Sequence, residues 1–148
     1  MKRRTTGRLY SVGYEGLTLR GLIDQLTGSG VTTLVDVRLN PISRKPGFSK
    51  RSLSDALQAA GIDYVHEREL GNPIDNRDSF RNGDPDARAL LRTQYELDDT
   101  PIKRVAELAV NGRTAVFCFE RDHSSCHRSV VTDMVIEREP SVEVLRIL

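Results

Sequence analysis

The sequence predicts an α/β fold, a three-layer sandwich with a mostly parallel sheet of about five strands, Rossmann-like or flavodoxin-like in type. Three observations carry that prediction. Short apolar or β-branched runs alternate with stretches at helical spacing. Gly, Asn-Gly and Asp-Pro punctuate the changes of period. The run Thr114 to Phe119 is almost wholly apolar, as a parallel strand covered on both faces must be.

Leu9-Tyr10-Ser11-Val12, ending at Gly13, reads as the first strand. Leu19, Leu22, Ile23 and Leu26 recur at helical spacing behind a Thr18 cap, and Gly28 and Gly30 close that helix. Val31 to Val37 is rich in β-branched residues and stops at Arg38 ahead of Pro41, giving a second strand. Ser52 and Asp55 have capping-box form around Leu53, Ala56, Leu57 and Ala60, with Gly61 as the stop. Ile62 to His66 reads as a third strand, and Glu67 to Gly83 as a loop whose length means either a functional cover or local disorder. Asp84-Pro85 supplies a cap and a first-turn Pro for a helix through Ala87, Leu90, Leu91 and Tyr95. Thr100-Pro101 repeats the device for Ile102, Val105, Ala106 and Ala109, ending at Asn111-Gly112. Thr114 to Phe119 is the fourth strand, Ser125 caps a helix through Val130, Val131, Met134 and Val135, and Val142 to Ile147 alternates as the last strand. Residues 1–7 read as a flexible basic N-terminus and residues 8–148 as one α/β domain. The order βαβαβααβαβ with right-handed crossovers gathers the strands' C-terminal ends on one rim, where such sheets bind ligands.

The chain has 148 residues, 29% of them charged, with 22 basic against 21 acidic side chains. A net charge of +1 excludes a broad basic surface for nucleic acid or an anionic membrane. It does not exclude a local anion pocket, and the basic set is 18 Arg against 4 Lys, a skew toward the side chain whose fork of donors suits phosphates and carboxylates. A domain of this length needs no disulfide staples, so two cysteines, Cys118 and Cys126, fit a reducing cytoplasm. No apolar stretch approaches the roughly 18 residues that span a bilayer. The expected location is cytoplasmic, with no membrane partner; the oligomeric state is left open.

Ten positions on or beside the expected rim carry chemistry. Cys126, placed in the first turn of a helix, would feel the positive end of the helix dipole, which favours the thiolate, and His127 and Arg128 add positive potential. Glu120 and His66 are candidate proton carriers, as is Asp36, with Arg38 two residues on and therefore on the same strand face. These four, Cys126, His66, Glu120 and Asp36, are the catalytic candidates. Arg38, Arg44, His127 and Arg128 are candidate anion-binding groups, and Phe48 and Tyr14 candidate stacking rings, Arg44 and Phe48 coming from the shaped loop Asn40 to Ser49. The residue six beyond Cys126 is Thr132, so the Cys, five residues, Arg phosphatase pattern is absent. His123, Cys126, His127 and Cys118 match no standard zinc spacing, Cys118 reads as a small core residue, and neither metal nor cofactor is expected.

The blocks Val35-Asp36-Val37-Arg38, Pro41, Ser43-Arg44, Pro46-Gly47-Phe48-Ser49, Gly61-Ile62-Asp63-Tyr64, His66, Leu70-Gly71, Cys118-Phe119-Glu120 and Cys126-His127-Arg128 resemble the domain of unknown function 488 family. The resemblance runs from Tyr10 to about Leu148, with two departures: Asn72 stands where a second Gly follows Gly71, and Tyr14 where the family often has His. It implies an α/β domain and the same rim residues, and names no substrate.

The first reading of the function is an enzyme with a thiol- and Arg-lined site for an anionic substrate, phosphorylated or derived from nucleic acid. A second is a module that binds a nucleotide or nucleic acid without catalysis. A third is a protein-interaction domain whose rim residues form a structural ion-pair network.

Overall fold

The computed structural model describes residues 7–147. Apart from Gly7, the stretch expected to be flexible lies outside the described residues. Gly7 is buried, its carbonyl accepts the Glu143 N–H, and a Cβ there would stand 2.3 Å from the Ala109 carbonyl oxygen.

The strands are β1 (Arg8–Gly13), β2 (Thr33–Asp36), β3 (Asp63–His66), β4 (Arg113–Cys118) and β5 (Glu143–Ile147). They form one five-stranded sheet in the order β3-β2-β4-β1-β5, and every pairing is parallel. The helices are α1 (Leu19–Gly28), α2 (Lys50–Ala59), α3 (Ile74–Arg81), α4 (Pro85–Leu97), α5 (Thr100–Asn111) and α6 (Arg128–Arg138).

The steps from β1 to β2 and from β2 to β3 run toward one edge, and those from β3 to β4 and from β4 to β5 run back toward the other. Right-handed crossovers therefore send α1 and α2 to one face and the later helices to the opposite face. The two cores agree. Tyr10, Val12, Leu34, Ala115 and Phe117 pack with Leu22, Leu26, Leu53 and Leu57. Leu9, Val35, Val116 and Cys118 pack with Leu91, Val105, Ala109, Val130 and Val131. β4 lies between β1 and β2, and its connection leaves on the opposite face from theirs. That reversal opens a crevice beyond the carboxyl ends of these strands.

Most expected elements are present with shifted ends. Thr18 and Asp84 cap as expected, accepting the Gly21 and Asp86 N–H groups at 3.0 and 2.9 Å. The Ser52 and Asp55 pair lies inside α2, whose N-cap is Ser49. At α5 the N-cap is Asp99, and Asp98 accepts the Thr100 N–H instead. Ser125 caps nothing: its hydroxyl donates to Asp122, and α6 begins three residues later behind His127.

The largest departure is the stretch 67–83, which is a 3-10 turn (Arg68–Leu70) followed by α3 rather than a loop. Its sequence, IDNRDSFR, hides the helix because the buried positions are Phe80 and a polar residue, Asn76. The Asn76 amide satisfies itself by donating to the Asn72 side chain and the Ala87 carbonyl, both at 3.0 Å. Hydrophobic periodicity cannot register such an anchor.

Candidate functional site

At the C-terminal ends of β1, β2 and β4 lies a cavity of about 220 Å³. Cys118, Cys126, His127, Glu120, Tyr14 and Arg38 line it from the sheet rim. Asn72, Arg77 and Arg81 line it from α3 and the turn before it.

Cys126 and His127 form its chemical centre. His127 Nε2 lies 2.8 Å from the Val37 carbonyl, which can only accept, so that nitrogen carries a hydrogen and Nδ1 faces the Cys126 sulfur at 3.6 Å. A backbone carbonyl thus sets the imidazole's orientation toward a thiol. Burial opposes ionisation of Cys126, but the hydrogen bond from Cys118, the neighbouring His127 and the charge of Arg128 outweigh it and hold this thiol well below the ordinary range. Burial likewise works against charging His127, yet the Cys126 sulfur, the Val37 carbonyl and Glu120 raise its pKa. Donation to Cys126, then burial, pushes Cys118 well up, so it keeps its proton.

The burial of Arg128 bears on the same thiolate. It is 1% exposed; Nη2 donates to the Glu120 carbonyl at 2.5 Å, while Nε and Nη1 have no partner among the described residues. A buried guanidinium requires a counter-charge, and an ionised Cys126 supplies one. Cys126 precedes the first turn of α6 rather than lying in it, so these side chains matter more than the helix dipole.

The other candidates divide. Glu120 is 21% exposed, accepts from Arg81 at 3.2 Å, and has its second oxygen 4.0 Å from the Cys118 sulfur. Asp36 has 0% exposure and four hydrogen bonds: from the Arg38 N–H, Nε and Nη2 and from the Tyr64 hydroxyl. Asp36 does not line the cavity, and its carboxylate fixes Arg38. Arg38 also donates to the Phe48 carbonyl at 2.6 Å and lies over the Tyr14 and Phe117 rings. His66 Nε2 donates to the Arg38 carbonyl at 2.8 Å and does not line the cavity, so it supports the Arg38 backbone.

Phe48 is fully buried, stacked on Tyr14 with ring centres 4.5 Å apart, and offers no free face. It staples its loop to the core and does not line the cavity. Tyr14 lines the cavity at 4% exposure, its ring already flanked by Phe48 and Phe117. Arg44 is exposed and does not line the cavity, whereas Asn40 and Ile42 of the same loop do.

Sequence reasoning missed Arg77, Arg81, Asn72 and the role of Cys118. The first three sit on or beside the unrecognised α3. Gly71 seats that segment by close approach, since a Cβ there would stand 2.6 Å from Leu39 Cα. Cys118 was legible by parity: it shares a face with Val116, the face to which the right-handed crossover carries α6.

Donor atoms of Cys118, Cys126 and His127 lie within 4.8 Å of one another, a sulfur-rich set that could hold a thiophilic cation. Cys118 is thus both the core residue expected and a member of this cluster. His123 belongs elsewhere, its ring hydrogen-bonded to Ser11 at 2.6 Å and Thr132 at 3.4 Å. No helix among the described residues is long and apolar enough to cross a membrane.

The sequence model of a family described as Domain of unknown function DUF488 matches residues 18–135. No curated protein and no solved structure matches the chain.

Proposed function

The chain belongs to the DUF488 family, whose match spans both the β2 rim and the cysteine cluster, and from that premise we propose that it is a cysteine-dependent enzyme acting on a small anionic substrate. Cys126 is the nucleophile, His127 its proton partner, and Arg77 and Arg81 hold a phosphate or carboxylate at the mouth. The observation that carries this reading is the chain Cys126, His127, Val37 carbonyl on the floor of a cavity with two arginines at its edge. The nucleotide-binding reading is weaker, since it needs Phe48 or Tyr14 as a stacking platform and their faces are occupied.

The test is alkylation of the native protein. A free thiol titrates near about 8.5, so it reacts slowly at about pH 6. Cys126 reacts there, and its rate falls only as pH drops through its own lowered pKa. Cys126→Ser abolishes the labelling and His127→Gln cuts it about tenfold or more. Arg77→Ala and Arg81→Ala slow iodoacetate, which is anionic, more than neutral iodoacetamide. A Cys126 titrating near the free-thiol value, or one closed to reagent in the folded state, overturns the proposal.

A further inference from the structure

A single nucleophile leaves Cys118 without a task, although it stands on the same cavity floor. Its sulfur, the Cys126 sulfur and a His127 donor nitrogen all lie within 4.8 Å. The two cysteines come from unlike supports. Cys118 ends β4, paired in register with Gly13 of β1, while Cys126 sits in the turned segment before α6. Residues 119–125 between them contain no helix or strand, so the two sulfurs can approach without breaking a regular element. Glu120, on that connection, has a carboxylate oxygen 4.0 Å from the Cys118 sulfur.

We infer that Cys118 is a resolving thiol, that Cys118 and Cys126 cycle between dithiol and disulfide, and that the substrate is a disulfide of a small anionic thiol. The inference deepens the proposal above and rests on Cys126 being the nucleophile. Cys126 thiolate attacks one sulfur of the substrate, forming a mixed disulfide as the substrate's S–S bond breaks. The departing thiolate takes its proton from His127. Glu120 then accepts the Cys118 proton, Cys118 attacks the Cys126 sulfur, and the protein disulfide forms as the second thiolate leaves, protonated from Glu120. Two electrons pass from the protein dithiol to the substrate, which becomes two thiols, and a dithiol reductant resets the protein. Arg77 and Arg81 select the anionic fragment.

The experiment treats the reduced, chelator-washed full chain with glutathione disulfide and follows intact mass, peptide linkage and Cys126 alkylation. The expected result is a transient glutathione adduct, then a protein lighter by two hydrogens with a Cys118–Cys126 linkage. Cys118→Ser stops at a stable adduct on Cys126, and Cys126→Ser does not react. Cystamine, a cationic disulfide, reacts slower by about tenfold or more. If Cys118→Ser does not fold, the order of the two wild-type species still decides. A wild-type protein that stops at the adduct, or stays reduced while Cys126 still alkylates rapidly, overturns this inference and leaves the nucleophile intact. A reduced protein whose Cys126 does not alkylate rapidly before the disulfide is added overturns both. Stoichiometric zinc on both thiols of the protein purified without chelator also overturns it, assigning the pair to metal binding.

Discussion

At Asp36 the pairing with Arg38 is intramolecular, buried and fully hydrogen-bonded, a different situation from the ion pairs on the helix surfaces. Asp36 and Arg38 are 0% and 5% exposed, whereas Arg88 and Asp133 are 42% and 52% exposed. Exposed pairs contribute little, but removing one member of a buried pair strands the other charge without water. Asp36→Asn is therefore expected to cost about 3–5 kcal/mol, read as a lower urea midpoint at neutral pH. A loss below about 1 kcal/mol would show the pair to be dispensable. Sequence parity placed these two residues on one strand face; it could not show that Tyr64 saturates the carboxylate, because that contact joins separate strands, β2 and β3.

The connection between β1 and the β4 end shows how elements, rather than residues, hold the site. The Tyr14 and Glu15 N–H groups donate to the Cys118 and Phe119 carbonyls at 3.1 and 2.9 Å, extending the β1–β4 ladder into the loops. A Cβ on Gly13 would stand 1.7 Å from the Glu120 carbonyl oxygen, which is the acceptor of Arg128 Nη2. Gly13 is required for space, not for an unusual backbone angle. Gly13→Ala should push the Glu120 segment outward, loosen Arg128, and slow Cys126 alkylation about tenfold, with about 1–3 kcal/mol lost in stability. An unchanged alkylation rate in a folded Gly13→Ala protein would detach this loop from the site. The same limit explains α3. Its polar face and single aromatic anchor read as loop, and with it went Arg77 and Arg81, two of the three arginines that line the cavity.

Across the whole molecule, His123 ties the inner strand β1 to α6 through Ser11 and Thr132. Burial first, then Arg128 and Arg146, lowers its pKa to about 4 against the pull of Cys126 and Asp133. An unfolded His takes up a proton near about 6.5, and the native one resists until about 4. Between these values the unfolded state binds more protons, so stability is full above the upper value and falls as pH descends through the window. Urea midpoints should drop from pH 7 to pH 5, and His123→Gln should flatten that slope; an equal slope in the variant would exclude His123 as its source. The sequence by itself determined the alternating α/β order, the parallel sheet, the strand-end location of Tyr14, Arg38 and Glu120, and the family, because periodicity and turn chemistry are local and leave their mark residue by residue. Only the tertiary structure decided that β4 lies between β1 and β2, that Arg38 and Tyr64 fill the acceptor positions of Asp36, that His66 lies off the cavity and Phe48 inside the core, and that Cys118 meets Cys126 beside α3's arginines. Those outcomes depend on which distant segments share a lone pair, a ring face or a cavity wall, and no spacing along the chain encodes that sharing.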